Sequence, residues 1–390
     1  MSDTHVPTRM ENLGQDASQV KRKQVLGSFN YFNGPGIPGL NDLTIIEGTS
    51  PDNKTYHLPV TDLRSLPAPL SSYTHEKNGF QILRQPLPIS PSPAAVHDDN
   101  VMATEYYPAM TALIKEALGA RCAIVRKHSI RDIPSWAPIG MDPKVGFEIK
   151  HLAPFNIAHS DYTPSGARGH FRAMREPDWC NDHHTADGCA SEAEREEFFK
   201  LRREIIDAED RAIAEAGIGP EVIEEDTQPR GGHWEWDGTN YDGPRYAFFS
   251  VWRALETVHR DPLAVMDMGL PASKKVEFAP LTRTYRNRPK CVPYYYSQNM
   301  MIRPIRSGDS DSGFEEEDDG QGDRHNWFYI SEQTPEEVYF IKFFDSEALV
   351  RRGRGDDSLQ LLCPHSAFHV ADADDAPARR SVELRIWCVW

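Results

Sequence analysis

Cysteine is scarce and irregularly spaced. Cys122, Cys180, Cys189, Cys291, Cys363 and Cys388 are the only six in 390 residues, and no two form a Cys-x-x-Cys pair. That spacing excludes a zinc ribbon and a thioredoxin-type redox site, and free thiols are expected. Long apolar runs are missing too. Nothing approaches the roughly 18 residues that cross a bilayer, and the polar stretch Met1–Gln24 has no apolar core of a secretory signal. Cytoplasmic residence is the expectation. Positive charge is in deficit: 43 Lys and Arg face 59 Asp and Glu, a net charge of −16. This argues against nucleic acid and an anionic membrane as partners, while leaving room for a small anion held by local arginines. No internal repeat of fixed period is visible, and the oligomeric state is left open.

What the chain does have is a hydrophobic share of 39%, enough for a sizeable core, in short runs. Residues 55–60, 79–84, 121–126, 246–255, 261–267, 276–281, 294–297, 338–344 and 382–390 read as strands. Met102, Tyr106, Met110, Leu113, Ile114 and Leu118 recur at helical spacing over 100–119, with Gly119 fit to end the helix. Residues 127–132 read as a polar exit from the strand before them. Residues 191–216 read as a charged helix on the outside, within a helical insertion at 178–232. Residues 25–33 mix aromatic and polar side chains and receive no element. Residues 307–323 hold eight acidic residues and almost nothing apolar, the composition of a disordered loop. The expected organisation is a flexible lead at 1–24 and one domain at 25–390. Many strands with helices outside suggest a mainly β fold, a barrel or jelly-roll.

The chemistry gathers around two short stretches. His159-Ser160-Asp161 places an imidazole and a carboxylate two residues apart, and residues i and i+2 of a strand face the same way. About two hundred residues later comes Pro364-His365-Ser366. A His-x-Asp pair plus a distant His is the ligand set of a facial triad, which holds Fe(II) by one face and leaves roughly three positions open. Behind the second His stands Arg379-Arg380-Ser381. Arg379 and Ser381 share a strand face and suit a carboxylate, because a guanidinium fork matches it bidentately. Arg385 would fall on that face as well and is a reserve for the same role. A rival carboxylate motif, His233-Trp234-Glu235, lies in a Gly- and Trp-rich loop.

The order His-x-Asp, His, Arg-x-Ser is that of Fe(II)/2-oxoglutarate oxygenases. The chain resembles the hydroxylase/desaturase family within them, which includes a fungal gibberellin desaturase, AsaB-type enzymes and 7α-cephem-methoxylase-chain-like proteins. The likeness rests on GFQILRQP at 79–86, YYPAMTALIKEALGA at 106–120, KHSIRD at 127–132 and HSDYTPSGA at 159–167. It continues through SVWRALETVHRDPLAVMD at 250–267, NWFYISEQTPEEVYFIKFFDS at 326–346, PHSAFHV at 364–370 and RRSVELR at 379–385. The resemblance implies a double-stranded β-helix of the cupin-like kind, with His159, Asp161 and His365 as metal ligands. It implies Arg379 and Ser381 on the distal carboxylate of 2-oxoglutarate, dioxygen as co-substrate and ascorbate as an in vitro aid. The stretch 341–344 is similar to a branch that closes an aziridine ring on a branched-chain amino acid.

Other residues carry open readings. Arg253, in an apolar strand beside the core-type Trp252, is either an internal ion pair or a substrate anchor. Lys342 either points to solvent or turns inward to pair with Asp345 or a substrate carboxylate. Ile341 and Phe343 would then face the opposite way, as core or pocket wall. Tyr294, Tyr295 and Tyr296 alternate faces, and His183-His184 reads as a surface pair. The expected function is oxidation of an unactivated C–H of a small secondary-metabolite precursor, by hydroxylation, desaturation or cyclisation. A non-catalytic β-barrel that binds a ligand or partner is the alternative. Conversion of 2-oxoglutarate to succinate separates the two.

Overall fold

Strand β6 (Tyr246–Ala254) shows how the molecule is layered. All nine of its residues are buried, as a strand covered on both faces must be. Tyr246, Phe248, Trp252 and Ala254 join the cluster that fills the space between two sheets. Ala247, Phe249 and Val251 alternate with them and pack outward against helix α1 (Tyr107–Leu118). The computed structural model describes residues 23–34, 53–133, 152–174, 191–222, 230–285, 295–304, 325–370, 373 and 375–390. The expectations for 307–323, His183-His184 and the side chains of Tyr294, Tyr295 and Tyr296 fall outside them.

The other strands are β1 (Gln24–Phe32), β2 (Asn53–Asp62), β3 (Phe80–Arg84), β4 (Cys122–Arg131), β5 (His159–Ser160), β7 (Leu263–Met266), β8 (Phe278–Tyr285) and β9 (Tyr295–Ile302). They continue with β10 (Trp327–Tyr329), β11 (Glu337–Asp345), β12 (His365–Ala367), β13 (His369–Val370) and β14 (Ser381–Val389). A nine-stranded sheet runs β13-β1-β2-β10-β7-β12-β5-β9-β8, and a five-stranded sheet runs β3-β11-β6-β14-β4. Each contributes one face to the shared interior, where Val265 of β7 belongs to the same core cluster as Phe248, Ile341 and Trp387 of the smaller sheet. Phe248 and Trp387 stack with ring centroids 4.0 Å apart. Burying such side chains contributes roughly 1.5–3 kcal/mol each. The mainly β, jelly-roll expectation is met.

Three local readings need correction. Residues 100–119 are not one uniform helix: a π-turn at Met102–Tyr106 precedes α1, although Gly119 closes it at φ 66° as expected. The strand that starts near Arg121 does not exit at Lys127 but runs on to Arg131. Polarity misled there because this half of the strand faces a polar interior. The unassigned stretch 25–33 forms β1, paired with β2 along its whole length. Phe29 and Tyr31 face the core while Ser28 and Asn30 stay partly wet, and Phe32 at the strand's end is buried as well. Gly27 has no room for a side chain, since a Cβ there would meet Phe368 at 2.5 Å.

Further helices are α2 (Pro164–Ala173), α3 (Glu192–Glu215) and α4 (Ser346–Gly353). Ser191 caps α3 by accepting from the Glu194 amide, which satisfies one of the free N–H groups of its first turn.

Candidate metal centre and co-substrate site

β5 and β12 are neighbours in the larger sheet, and their register sets His159 directly opposite His365. The two imidazoles lie 4.4 Å apart, centroid to centroid. His159 Nδ1 is 2.7 Å from the Ile157 carbonyl, and His365 Nδ1 is 3.1 Å from the Cys363 carbonyl. A carbonyl only accepts, so each Nδ1 carries the proton. Each Nε2 then keeps its lone pair for a ligand. Both rings are thus oriented by the carbonyl two residues earlier.

β5 ends at Ser160, so Asp161 follows the strand rather than lying in it. The one-residue spacer still brings Asp161 Oδ1 to 3.3 Å from His159 Nε2. One donor atom each from His159, Asp161 and His365 lies within 4.8 Å of the others, and all three residues are buried. Their donor types and convergence fit a single divalent cation. The Asp161 turn is clamped from β9: Thr163 donates to Gln298 Oε1 at 2.7 Å and caps α2 by accepting from Gly166 N. A Cβ at Gly166 would stand 2.3 Å from the Gln298 carbonyl, so only glycine lets α2 sit this close.

Burial alone would raise the Asp161 carboxyl. Arg385, then His159 and His365, outweigh it and hold the group well below the usual carboxylate range. Arg385 Nη2 is 2.9 Å from Asp161 Oδ2. Burial, with His159 beside it, lowers His365 to about 4. At neutral pH the site therefore offers one carboxylate and an uncharged His365 imidazole.

Arg379 sits just before β14, buried, with Nη1 donating to the Asp261 carbonyl at 2.6 Å and its plane over Trp252. Its Nε and the Ser381 Oγ are buried without a hydrogen-bond partner. Such orphans cost about 1–3 kcal/mol each unless a ligand meets them. Two of them two residues apart fit a carboxylate. Burial and Arg131 bring Arg379 down to about 9, still a cation at neutral pH. Arg380 points the other way, to Glu256 and to the Pro91 carbonyl at 2.8 Å. Arg385 shares the inner face, and Tyr162 accepts from it at 3.0 Å.

The remaining candidates separate. Phe343 stacks 5.7 Å from the His365 ring, and Tyr162 and Phe248 complete that aromatic wall. Ile341 belongs to the same interior cluster. Arg253 alternates to the other face, beneath α1. It donates to the Gln85 carbonyl at 3.0 Å, Gln85 Oε1 at 2.9 Å and the Pro335 carbonyl at 3.2 Å. Lys342 is enclosed completely and donates to Asp345 and the Gln360 carbonyl, both at 2.9 Å. Neither Arg253 nor Lys342 joins the His159 group. His233 lies on a short helix, Gly232–Glu235, 3.0 Å from the Glu221 carboxylate. Sequence reasoning did not find the Arg385–Asp161 pair or the Thr163–Gln298 clamp, since neither leaves a local pattern.

Residues 39–184 and 235–389 match the family described as oxidoreductase/YMDC permease-like domain, well over half of the chain. The chain belongs to this family. Among the described residues of this oxidoreductase/YMDC family member, no helix is long and apolar enough to cross a membrane. It is 28% identical to oxidoreductase chry3 of Gibberella zeae, over 85% of this chain and 89% of that protein. It is 25% identical to the gibberellin cluster GA4 desaturase of Gibberella fujikuroi, over 94% of this chain and 96% of that one. Its fold is similar to the solved structure of the iron and alpha-ketoglutarate-dependent endoperoxidase NvfI. That likeness has a TM-score of 0.54 at 17% identity and covers 94% of this family member and 98% of that chain.

Proposed function

We propose that this chain is a non-haem Fe(II)- and 2-oxoglutarate-dependent oxygenase acting on an unactivated C–H of a small molecule. The observation that carries the reading is the cross-strand pair His159–His365 with Asp161, both imidazoles held by Nδ1 and open at Nε2. The names of the relatives support it: desaturase, hydroxylase/desaturase and alpha-ketoglutarate-dependent dioxygenase.

In this reading His159, Asp161 and His365 hold Fe(II), and Arg379 with Ser381 holds the far carboxylate of 2-oxoglutarate. When bound, the metal with 2-oxoglutarate and dioxygen supplies an oxidant able to take hydrogen from an unreactive carbon, and succinate and carbon dioxide leave. The protein's own work is positioning. The two imidazoles and one carboxylate would hold the ion from one side and leave room for small molecules on the other. Arg379 fixes the orientation of the co-substrate through its guanidinium plane. Phe343, Phe248 and Tyr162 form a dry wall that aims one C–H of the substrate. Where that wall places a second hydrogen, or a nucleophilic nitrogen, sets the outcome: hydroxylation, desaturation or ring closure, including aziridine formation on a branched-chain amino acid.

The test is succinate release from 2-oxoglutarate by purified protein with Fe(II) and air. Binding of both without succinate would instead favour a non-catalytic ligand-binding barrel. Screening metabolites by mass then reads the outcome, about +16 for hydroxylation and about −2 for desaturation or cyclisation.

A further inference from the structure

The β4–β14 ladder contains a bulge. Lys127 pairs with Arg385, but the next pair is Val125 with Ile386, so Arg126 is the extra residue. Before the bulge, Cys122 and Ile124 face the interior between the sheets, and Arg126 continues that alternation. After it, Lys127, Ser129 and Arg131 lie opposite Arg385, Glu383 and Ser381, while Ile130 packs outward under α1. The bulge therefore turns two consecutive cations toward one side, the re-aiming that bulges produce.

Those cations are poorly matched. Like charges directly opposite on neighbouring strands destabilise a sheet, yet Lys127 opposes Arg385. Arg126 Nε is buried with no hydrogen-bond partner. Among the described residues neither Arg126 nor Lys127 makes an ion pair. The nearby carboxylates are committed, Asp161 to Arg385 and Glu383 to Arg131 and Arg385. Six cations, Arg126, Lys127, Arg131, Arg260, Arg379 and Arg385, thus face three carboxylates, Asp161, Asp261 and Glu383. The chain as a whole is acidic at −16, so this excess is local. Fe(II) and the 2-oxoglutarate dianion cancel one another and leave it standing. Nor does one co-substrate reach both ends. Arg379 is tied to the Asp261 carbonyl and Arg385 to Asp161, and Ser381 to Arg385 alone spans roughly 13 Å of strand.

Resting on the oxygenase reading above, we infer that the substrate of this site is an organic carboxylate whose anionic end is received by Arg126 and Lys127 beside Arg385. The aromatic wall of Phe248, Phe343 and Tyr162 next to them suits an apolar body on that carboxylate. Arg385 opposite, and then burial, bring Lys127 down to about 7, the condition of a cation crowded by others.

The experiment compares the full chain, the Arg126→Gln/Lys127→Met double variant and the charge-keeping Lys127→Arg variant. Each is held anaerobically with Fe(II) and 2-oxoglutarate and melted against a panel of hydrophobic carboxylic acids and their methyl esters. In the unaltered chain the acids raise the melting temperature and the esters do not. The double variant binds the acids about tenfold or more weakly, and Lys127→Arg retains them. With no acid present, the double variant melts no lower than the unaltered chain, because a like-charge pair has been removed. Esters that match acids, undiminished acid binding in the double variant, or a lower melting point without ligand would overturn the assignment. The same samples report the visible charge-transfer absorption of bound Fe(II) and 2-oxoglutarate. A double variant in which 2-oxoglutarate half-saturation is what weakens would give this cluster to the co-substrate and overturn the substrate assignment. Absence of the absorption from the unaltered chain would sink the oxygenase reading, whereas the acid-against-ester comparison judges the anion site by itself.

Discussion

Arg385 holds Asp161 by the oxygen that does not face His159. Its Nη2 is 2.9 Å from Oδ2, while Oδ1 lies 3.3 Å from His159 Nε2. A charged partner on the outer oxygen fixes the rotamer of the inner one, as partners of metal-ligating carboxylates do. We expect Arg385→Met to weaken Fe(II) binding by about 10- to 100-fold, read by iron titration at saturating 2-oxoglutarate. If 2-oxoglutarate half-saturation shifts instead and iron affinity holds, Arg385 is itself the co-substrate clamp, the role for which its strand face makes it a reserve.

His159→Ala, Asp161→Ala and His365→Ala should each abolish iron-dependent succinate release and leave the far-ultraviolet circular dichroism largely unchanged. A site with three protein ligands has none to spare. Glu235→Ala should keep activity, because Glu235 stands on another short helix and outside the converging group. Full activity in Asp161→Ala would move the carboxylate ligand elsewhere.

Arg379→Lys should raise the 2-oxoglutarate KM by roughly tenfold or more, on the order of 1.4 kcal/mol, since lysine lacks the planar fork. Arg380→Lys, on the opposite side with Glu256, should change it little. Succinate release against 2-oxoglutarate concentration measures both, and a reversed result would put the clamp on the wrong residue.

The buried pair Lys342–Asp345, joined by Arg245 at 2.6 Å, makes a stability prediction. Asp345→Asn leaves two cations without their carboxylate and should cost about 3–5 kcal/mol, seen as a lower urea midpoint. The pH dependence follows. Burial would raise the Asp345 carboxyl, but Lys342 and Arg245 outweigh it and bring it to about 2. A depressed carboxylate contributes stability above its unfolded pKa of roughly 4, and that contribution is lost as pH falls toward 2. Unfolding midpoints of the Asn variant should therefore vary less with pH across this window than those of the native chain. Equal slopes would contradict the pairing.

Much of the site is legible in the sequence because its signals are local. The spacer in His159-Ser160-Asp161 keeps an imidazole and a carboxylate within reach of each other even though Asp161 lies past the end of its strand. Arg379 and Ser381, likewise two residues apart at the start of β14, turn inward while Arg380 departs to Glu256. Gly119 marks a helix end through backbone chemistry that needs no tertiary contact. Lys127 misleads because its polarity reads as the end of a strand, when it marks a polar interior. Arg253 and Lys342 stay open in the sequence for a related reason: period 2 says that faces alternate, but not which face is which.

The donor types, their spacing and the class of fold follow from the order of residues alone, since covalent adjacency and strand alternation leave few choices there. Tertiary packing decided that His365 lies opposite His159, that Arg385 rather than Arg379 meets Asp161, and that Arg253 turns away beneath α1. It also decided that Arg126 and Lys127 both turn inward. The physical reason is register. A one-residue shift in a ladder reverses every side chain beyond it, and the β4–β14 bulge is such a shift, set by partners far away in the chain.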